Sequence, residues 1–300
     1  KKIFSLTLLS TLFVTFSTLT IPLIIQYITE NLISNFSESN LRSVILIGAL
    51  LLSLVFVQFL CHIFIDYYGH VMGAKMEKDM SEELFDHIQQ QDHAFFDTTS
   101  TGSLMSRLTH DLENLSELYH HGPEDFVMYL VRFVGAIVIL SFIEVKLTLV
   151  LLLYVPVTLF VYFYFLKKLN VIYAEDKEKS AEISGFLENS LAGIKVTKSF
   201  TNEYLISKNY KQLNAEAIEI KKKVHKTEAL YSEIIGSLMQ SMPIVIIIIG
   251  SVLIMNKELT IPALLTFILY VGNITSPIEA FVRLSVMYNE GLSGFNRFYN

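Results

Sequence analysis

Long apolar stretches alternate with long polar ones along this chain, and their lengths decide its class. Residues 3–29, 43–65, 147–166, 234–256 and 259–278 contain no Asp, Glu, Lys or Arg, and residues 126–143 are interrupted only by Arg132. A helix needs about 20 apolar residues to cross a hydrocarbon core about 30 Å thick. In lipid, backbone polar groups are satisfied only within helices or closed barrels, and these runs are too long for barrel strands. The pattern predicts six membrane-spanning helices over those six ranges.

The polar gaps are unequal. Spans three and four are joined by Glu144, Val145 and Lys146, spans five and six around Lys257 and Glu258, and spans one and two by residues 30–42. Residues 66–125 and 167–233 are far longer, and on this topology they share one side of the membrane with both chain ends. Most of the 23 Lys and Arg fall in these long gaps and at the ends, whereas the short loops and the start of span two hold only Arg42, Lys146 and Lys257. An excess of positive charge marks the cytoplasm. Both termini and both long gaps are therefore expected to be cytoplasmic, with the chain in the cell membrane.

The long gaps read as helical arms. No proline occurs from Arg42 to Gln91 or from Lys167 to Glu233. In the second arm Ile183, Leu187, Leu191 and Ile194, then Leu213, Ala217, Ile220 and Val224, keep a helical period. The remaining surface is largely Lys and Glu three or four residues apart, as on a solvated helix face. Each arm contains one predicted turnaround. The first is the run Asp97, Thr98, Thr99, Ser100, Thr101 and Gly102. The second is Thr201, Asn202 and Glu203, a capping residue followed by an acid in a new first turn.

Composition adds exclusions. Hydrophobic residues make up 52% of the 300 and charged ones only 17%, which fits spans and leaves no basic block for a nucleic-acid partner. Lys1 and Lys2 precede the first run, but that run is too long for a signal peptide and lacks a small-residue cleavage site. The first residue is not Met, so the chain reads as trimmed. Cys61 is the single cysteine, which excludes an internal disulfide framework and the common zinc layouts. His87, His93, His120 and His121 do not form an H-E-x-x-H pattern, and no metal ligand is assigned to them. No nucleophile–base pair or paired-carboxylate site is visible, so no catalytic residue is assigned.

Two motifs carry a family resemblance. The first turnaround reads Phe95, Phe96, Asp97, then Gly102, Leu104, Ser106, Arg107, Leu108 and Asp111. The second reads Glu188, Gly193, Ile194, Val196, Lys198, Phe200 and Glu203. In this order, at the bends of two arms in a six-span chain, they resemble the first and second cytoplasmic loops of exporters of the ATP-binding cassette (ABC) superfamily. Residues 291–298, with Arg297 and Phe298, resemble the end of the sixth helix before the ATPase linker. No G-x-x-x-x-G-K-[ST] phosphate loop occurs in the 300 residues. The resemblance implies a nucleotide-binding domain beyond Asn300 or on a separate subunit, with ATP and Mg2+ there and none in this chain. It also implies a short coupling helix at each bend, and a homo- or heterodimer in which spans four and five pack with the partner. The coupling residues it implies are Phe95, Phe96, Asp97, Gly102, Arg107, Phe200, Thr201, Asn202 and Glu203. Asp97, Arg107 and Asp111 can instead act as local caps and salt bridges that fix the bend, and the Phe residues can pack one arm on the other.

Charged groups inside lipid are costly and usually face a cavity or a partner. Arg132, Glu279 and Arg283, with Gln58, Gln240 and Asn273, are candidate cavity residues. Glu279 and Arg283 lie one turn apart and can equally pair with each other, and Arg132 can snorkel. Pro156, Pro243 and Pro277 lie inside spans, where each removes a backbone hydrogen bond.

The sequence thus predicts an all-α membrane protein of six spans with two cytoplasmic arms, the exporter transmembrane fold, surrounded by membrane lipid. The expected function is the translocating half of an ATP-driven exporter working by alternating access. An ATP-gated channel or regulator on the same scaffold, or a membrane scaffold without transport, is the alternative.

Overall fold

Lipid leaves a chain of this pattern little choice but long helices, and a computed structural model of the protein has nearly nothing else. The structure describes residues 2–33 and 38–299, and no strand occurs among them. Helix α1 (Lys2–Tyr27) runs on into a π-helical turn (Ile28–Ile33). Helix α2 is Glu38–Gln89, followed by two short helices, α3 (His93–Thr98) and α4 (Thr101–Ser106). A second π-helical turn (Arg107–Asp111) leads into α5 (Leu112–Ile143). Then come α6 (Val145–Ala192), the short α7 (Ile194–Ser199), α8 (Glu203–Met255) and α9 (Ile261–Tyr299). Six helical stretches among the described residues are long and apolar enough to cross a membrane.

The 52 residues of α2 amount to about 78 Å at about 1.5 Å per residue, more than twice a bilayer core. The absence of an internal proline from this stretch permits that length. Pro156 and Pro243 sit inside α6 and α8, and Pro277 inside α9, without ending any of them. Membrane helices tolerate such residues because neighbouring groups satisfy the freed carbonyls.

The described residues form two compact units. One contains the residues up to Leu149 and those from Val245 onward; the other is Val150–Ile244. In the first unit α5 packs along α9, both meet α1, and α2 meets α1 and α5. Its centre is small and hydroxylated on the α1 side. Thr7, Thr11 and Thr15 are buried at i, i+4 spacing beside Val14, and the facing helices bring Ala136, Leu140, Phe267, Tyr270 and Ile274. Hydroxyls that donate back to their own helix need no outside partner, as Thr15 Oγ1 does to Thr11 O at 2.8 Å and Thr18 Oγ1 to Val14 O at 2.8 Å. The Tyr270 hydroxyl donates to the Leu19 carbonyl and pins α9 to α1. By contrast Leu46, Leu50, Leu52, Phe56 and Phe59 of α2 are exposed, the surface expected where lipid is the solvent.

The tight turns of this unit are built by local chemistry. Glu144 alone separates α5 from α6: its backbone is extended and its carboxylate accepts from the Lys146 amide at 3.0 Å. Between α8 and α9, Lys257 turns with φ 62, and Thr260 Oγ1 accepts from the Ala263 amide at 3.3 Å as an N-cap. Lys146 Nζ reaches Glu258 at 2.6 Å and so ties the two turns together.

The second unit is a helical hairpin made from the body of α6, α7 and the first part of α8. At one end the Tyr154 hydroxyl shares a 3.2 Å hydrogen bond with Ser241 Oγ. Along the arm, Phe186 stacks on Tyr210 at 6.4 Å, Lys223 meets Glu175 at 3.3 Å, and Lys179 pairs with Glu182 and Glu216. Tyr173 donates to Glu228 at 2.6 Å; that bond pushes the tyrosine up to about 12 and holds the carboxylate below its ordinary range. The predicted apolar stripe is only half covered. Ala217 and Val224 are buried, whereas Leu187, Leu191 and Ile194 are exposed, because two helices alone cannot enclose the tip of a hairpin.

Candidate functional site: two bends and a membrane cleft

The first bend is more elaborate than a single turnaround. The chain breaks twice, after Gln89 and at Thr99–Ser100, and the residues between form α3. Asp92 caps α3, its Oδ1 accepting from the Phe95 amide at 3.0 Å, and Ser100 Oγ caps α4 by accepting from the Ser103 amide at 3.3 Å. The caps are thus Asp92 and Ser100 and not Asp97 or Asp111. Asp97 is exposed on α3 and Gly102 lies exposed within α4.

The two aromatics of this bend divide their labour. Phe95 packs against a small core of Leu84, Ile88, Leu104 and Leu112, which Met80, Leu108 and Phe298 also join. Phe96, edge-on to Phe95 with centroids 5.3 Å apart, is 47% exposed. Consecutive residues point to different faces of a helix, so one ring can hold the bend while the other faces outward.

The C-terminal part of α9 closes over this bend. Asp111 is buried, and both its oxygens accept from Arg297, Oδ2 from Nε and Oδ1 from Nη2, each at 2.6 Å. Planar bidentate pairing of this kind fixes orientation as well as charge. Arg107 Nη1 donates to the Arg297 carbonyl at 3.3 Å. Gly294 makes the approach possible, since a Cβ there would lie 2.7 Å from the Asp111 carbonyl oxygen. Arg297 and Phe298 were legible only as part of the family-like helix end; the partner of Arg297, Asp111, 186 residues away, was not, nor was the core that Phe298 joins.

The second bend is plainer. Gly193 interrupts the helix between α6 and α7, and α7 has no side-chain cap. After Phe200 the chain reverses through Thr201, whose φ of 52 is left-handed, and Asn202. The Asn202 amide donates to the Thr197 carbonyl at 3.0 Å, and α8 starts at Glu203 as the pattern predicts. Phe200 is 74% exposed, with Val196, Ile194 and Tyr204 exposed beside it. Nothing in its own unit covers this apolar tip.

Three of the polar residues picked out in the spans come together. Gln58, Arg132 and Asn273 line a cleft of about 390 Å³ with Thr18, Pro22 and Ser276. Gln58 Nε2 donates to Thr18 Oγ1 at 3.2 Å and weakly to the Val14 carbonyl at 3.4 Å. Arg132 lies 5.9 Å from the Tyr129 ring centre, and its Nε has no hydrogen-bond partner. Glu279 and Arg283 are exposed and do not line this cleft, and no ion pair joins them among the described residues. Gln240 belongs to the other unit and is exposed. A second, apolar cavity of about 500 Å³ lies between α5 and α9, lined by residues including Pro123, Phe126, Phe281 and Tyr288.

Comparison with known proteins agrees with this architecture. The profile of the family described as the ABC transporter transmembrane region matches residues 4–278. The uncharacterised ABC transporter ATP-binding protein YknV of Bacillus subtilis is 27% identical over 295 residues, covering 98% of this chain and 48% of that protein. YwjA of the same organism, with the same description, is 28% identical over 234 residues, 78% of this chain and 41% of its own. A Staphylococcus aureus protein provisionally named as a multidrug export ATP-binding/permease protein is 26% identical over 261 residues, 86% of this chain and 45% of its own. The chain thus spans just under half the length of these relatives.

Proposed function

The chain belongs to the family of ABC transporter transmembrane regions, a multi-pass membrane part of a transporter, and from that premise we propose that it translocates cargo outward by alternating access, driven by ATP. The reading rests chiefly on one observation: each arm ends in a short helix that presents an exposed aromatic, Phe96 on α3 and Phe200 after α7. A large apolar side chain on a bend rich in Lys, Thr and Asn is best explained by a partner that covers it. The partner proposed is a nucleotide-binding domain, on the same chain or another, holding ATP and Mg2+. Phe96, Asp97 and Gly102 would meet it at the first bend, and Phe200, Thr201, Asn202 and Glu203 at the second. Phe95 and Arg107 would act from within, by holding the first bend in shape.

Rigid parts suit this task, because packed helices shift as bodies and do not deform continuously. The bidentate Asp111–Arg297 pair would make the first bend and the end of α9 move together. Span four lies mainly in the unit Val150–Ile244, and span five begins there, which supports a dimer, homo or hetero, in which that unit packs with the partner subunit. Cargo would pass the cleft of Gln58, Arg132 and Asn273, where an otherwise apolar wall carries a few polar groups. Export is favoured over a gated channel by the staphylococcal relative named for multidrug export.

Two experiments test the reading. In the full-length protein reconstituted into liposomes, Phe200→Ala is expected to leave insertion and dimerisation intact, to lower transport strongly, and to leave ATP hydrolysis unresponsive to cargo. Wild-type transport by this variant would remove Phe200 from the coupling path. Orientation is read by cysteine labelling of intact cells, with Lys257→Cys expected to react from outside and Thr99→Cys and Asn202→Cys to be shielded. The reverse pattern would invert the topology and remove the cytoplasmic arms.

A further inference from the structure

The strongest unassigned feature lies between α2 and α5, away from both the bends and the membrane cleft. His70 of α2 meets His120 and His121 of α5, and the three residues offer ligand nitrogens that all lie within 4.8 Å of one another. Ring centres are 5.3 Å apart for His70–His120, 5.1 Å for His70–His121 and 4.3 Å for His120–His121. Neighbouring residues on a helix point about 100° apart, so two adjacent rings this close have both turned toward one spot.

His120 is the unusual member. It is 1% exposed, and neither ring nitrogen has a hydrogen-bond partner. A buried polar group without a partner is costly, and native structures seldom leave one so. The backbone has nevertheless made room for this ring. A Cβ on Gly69 would stand 2.0 Å from His120 Cε1, so only glycine at that position admits the imidazole against α2. The place is therefore built around a ring whose nitrogens nothing in the protein uses. Access is kept on the other side, where His70 is exposed and His121 partly so.

We propose that His70, His120 and His121 bind a divalent transition-metal ion of the Zn2+ type, which would tie α2 to α5. Three imidazoles suit Zn2+, Co2+ or Ni2+ and not Mg2+ or Ca2+, which prefer oxygen ligands. A tetrahedral ion with nitrogens at about 2.0–2.1 Å would draw the three rings closer together by small rotations. Glu117 stands 3.5 Å from His121 Nε2, the position of an outer carboxylate that fixes the ring and raises its basicity. Water would fill the remaining coordination. The motifs of the sequence gave no hint of this, because His70 is 50 residues from its partners and none of the common metal spacings is present. The proposal does not depend on the direction or cargo of transport.

The test uses full-length protein without a polyhistidine tag, purified in detergent, stripped with chelator and titrated with Co2+ alone. Visible absorption bands of tetrahedral Co2+ are expected to saturate at one ion per chain and to be displaced by Zn2+. His70→Gln changes an exposed residue and should not impair folding; it is expected to weaken binding by at least about 100-fold, and His121→Gln likewise. Glu117→Gln should weaken binding about 10-fold, the lower end of effects seen for outer carboxylates. Absence of the bands would overturn the site, and so would binding that survives both His70→Gln and His121→Gln unchanged.

Discussion

The two bends do similar work in the sequence pattern but are held in different ways. At the first, α3 is capped by Asp92, braced from inside by Phe95, and closed over by Arg297 and Phe298 of α9. At the second, α7 has no side-chain cap, and Phe200, Val196 and Ile194 are all exposed. A motif residue at a bend can therefore be an internal brace or an external knob, and residue type alone does not say which. The first bend carries one of each in adjacent positions. The second keeps its shape through backbone hydrogen bonds and one left-handed residue, and leaves most of its aromatic exposed.

The difference can be broken from the first bend outward. Phe95→Ala should cost most. A fully buried Phe truncated to Ala loses about 3–5 kcal/mol, and for a half-buried ring about 2–3 kcal/mol is expected, seen as a clear fall in the thermal unfolding midpoint of the full-length protein in detergent. An unchanged midpoint would mean that the core around Leu84, Ile88, Leu104 and Leu112 does not depend on it. Arg297→Ala comes next. It leaves Asp111 buried without its partner, but Arg297 itself is about half exposed, so solvent screening limits the loss to about 1–2 kcal/mol. Asp111→Asn combined with Arg297→Ala should cost less than the sum of the two single changes, because the pair acts as a unit; simple additivity would show that the contact is incidental. Smallest is Phe200→Ala, whose stability effect should stay within about 0.5 kcal/mol, as for an exposed residue. A larger fall in midpoint would show that Phe200 braces its own arm, and the contrast between the bends would be lost.

Much of the architecture was legible one segment at a time. The spans follow from five charge-free runs and a sixth broken only by Arg132, because lipid penalises each charge where it stands. The long arms follow from absent prolines and a helical period, and the second reversal from Thr201, Asn202 and Glu203. These are local properties, each decided within a few helical turns. The first bend was less legible: the earlier of its two breaks, at Gln90–Asp92, lies before the run of helix-interrupting residues and depends on Asp92 as a cap.

What the tertiary structure decided is how far each helix is rotated about its own axis. Inside lipid the spans are apolar on most sides, so no stripe in the sequence reveals which face turns inward. Packing of α1, α2, α5 and α9 made that choice. It placed Gln58, Arg132 and Asn273 on one cleft and left Glu279 and Arg283 apart from it, although their spacing permits a pair. It brought Asp111 to Arg297, and His70 to His120 and His121, across separations that no local pattern spans. Helix and span arise from short-range physics, backbone hydrogen bonding and transfer from water to lipid. Side-chain partnership arises from the joint packing of several helices, and it exists only once all of them are in place.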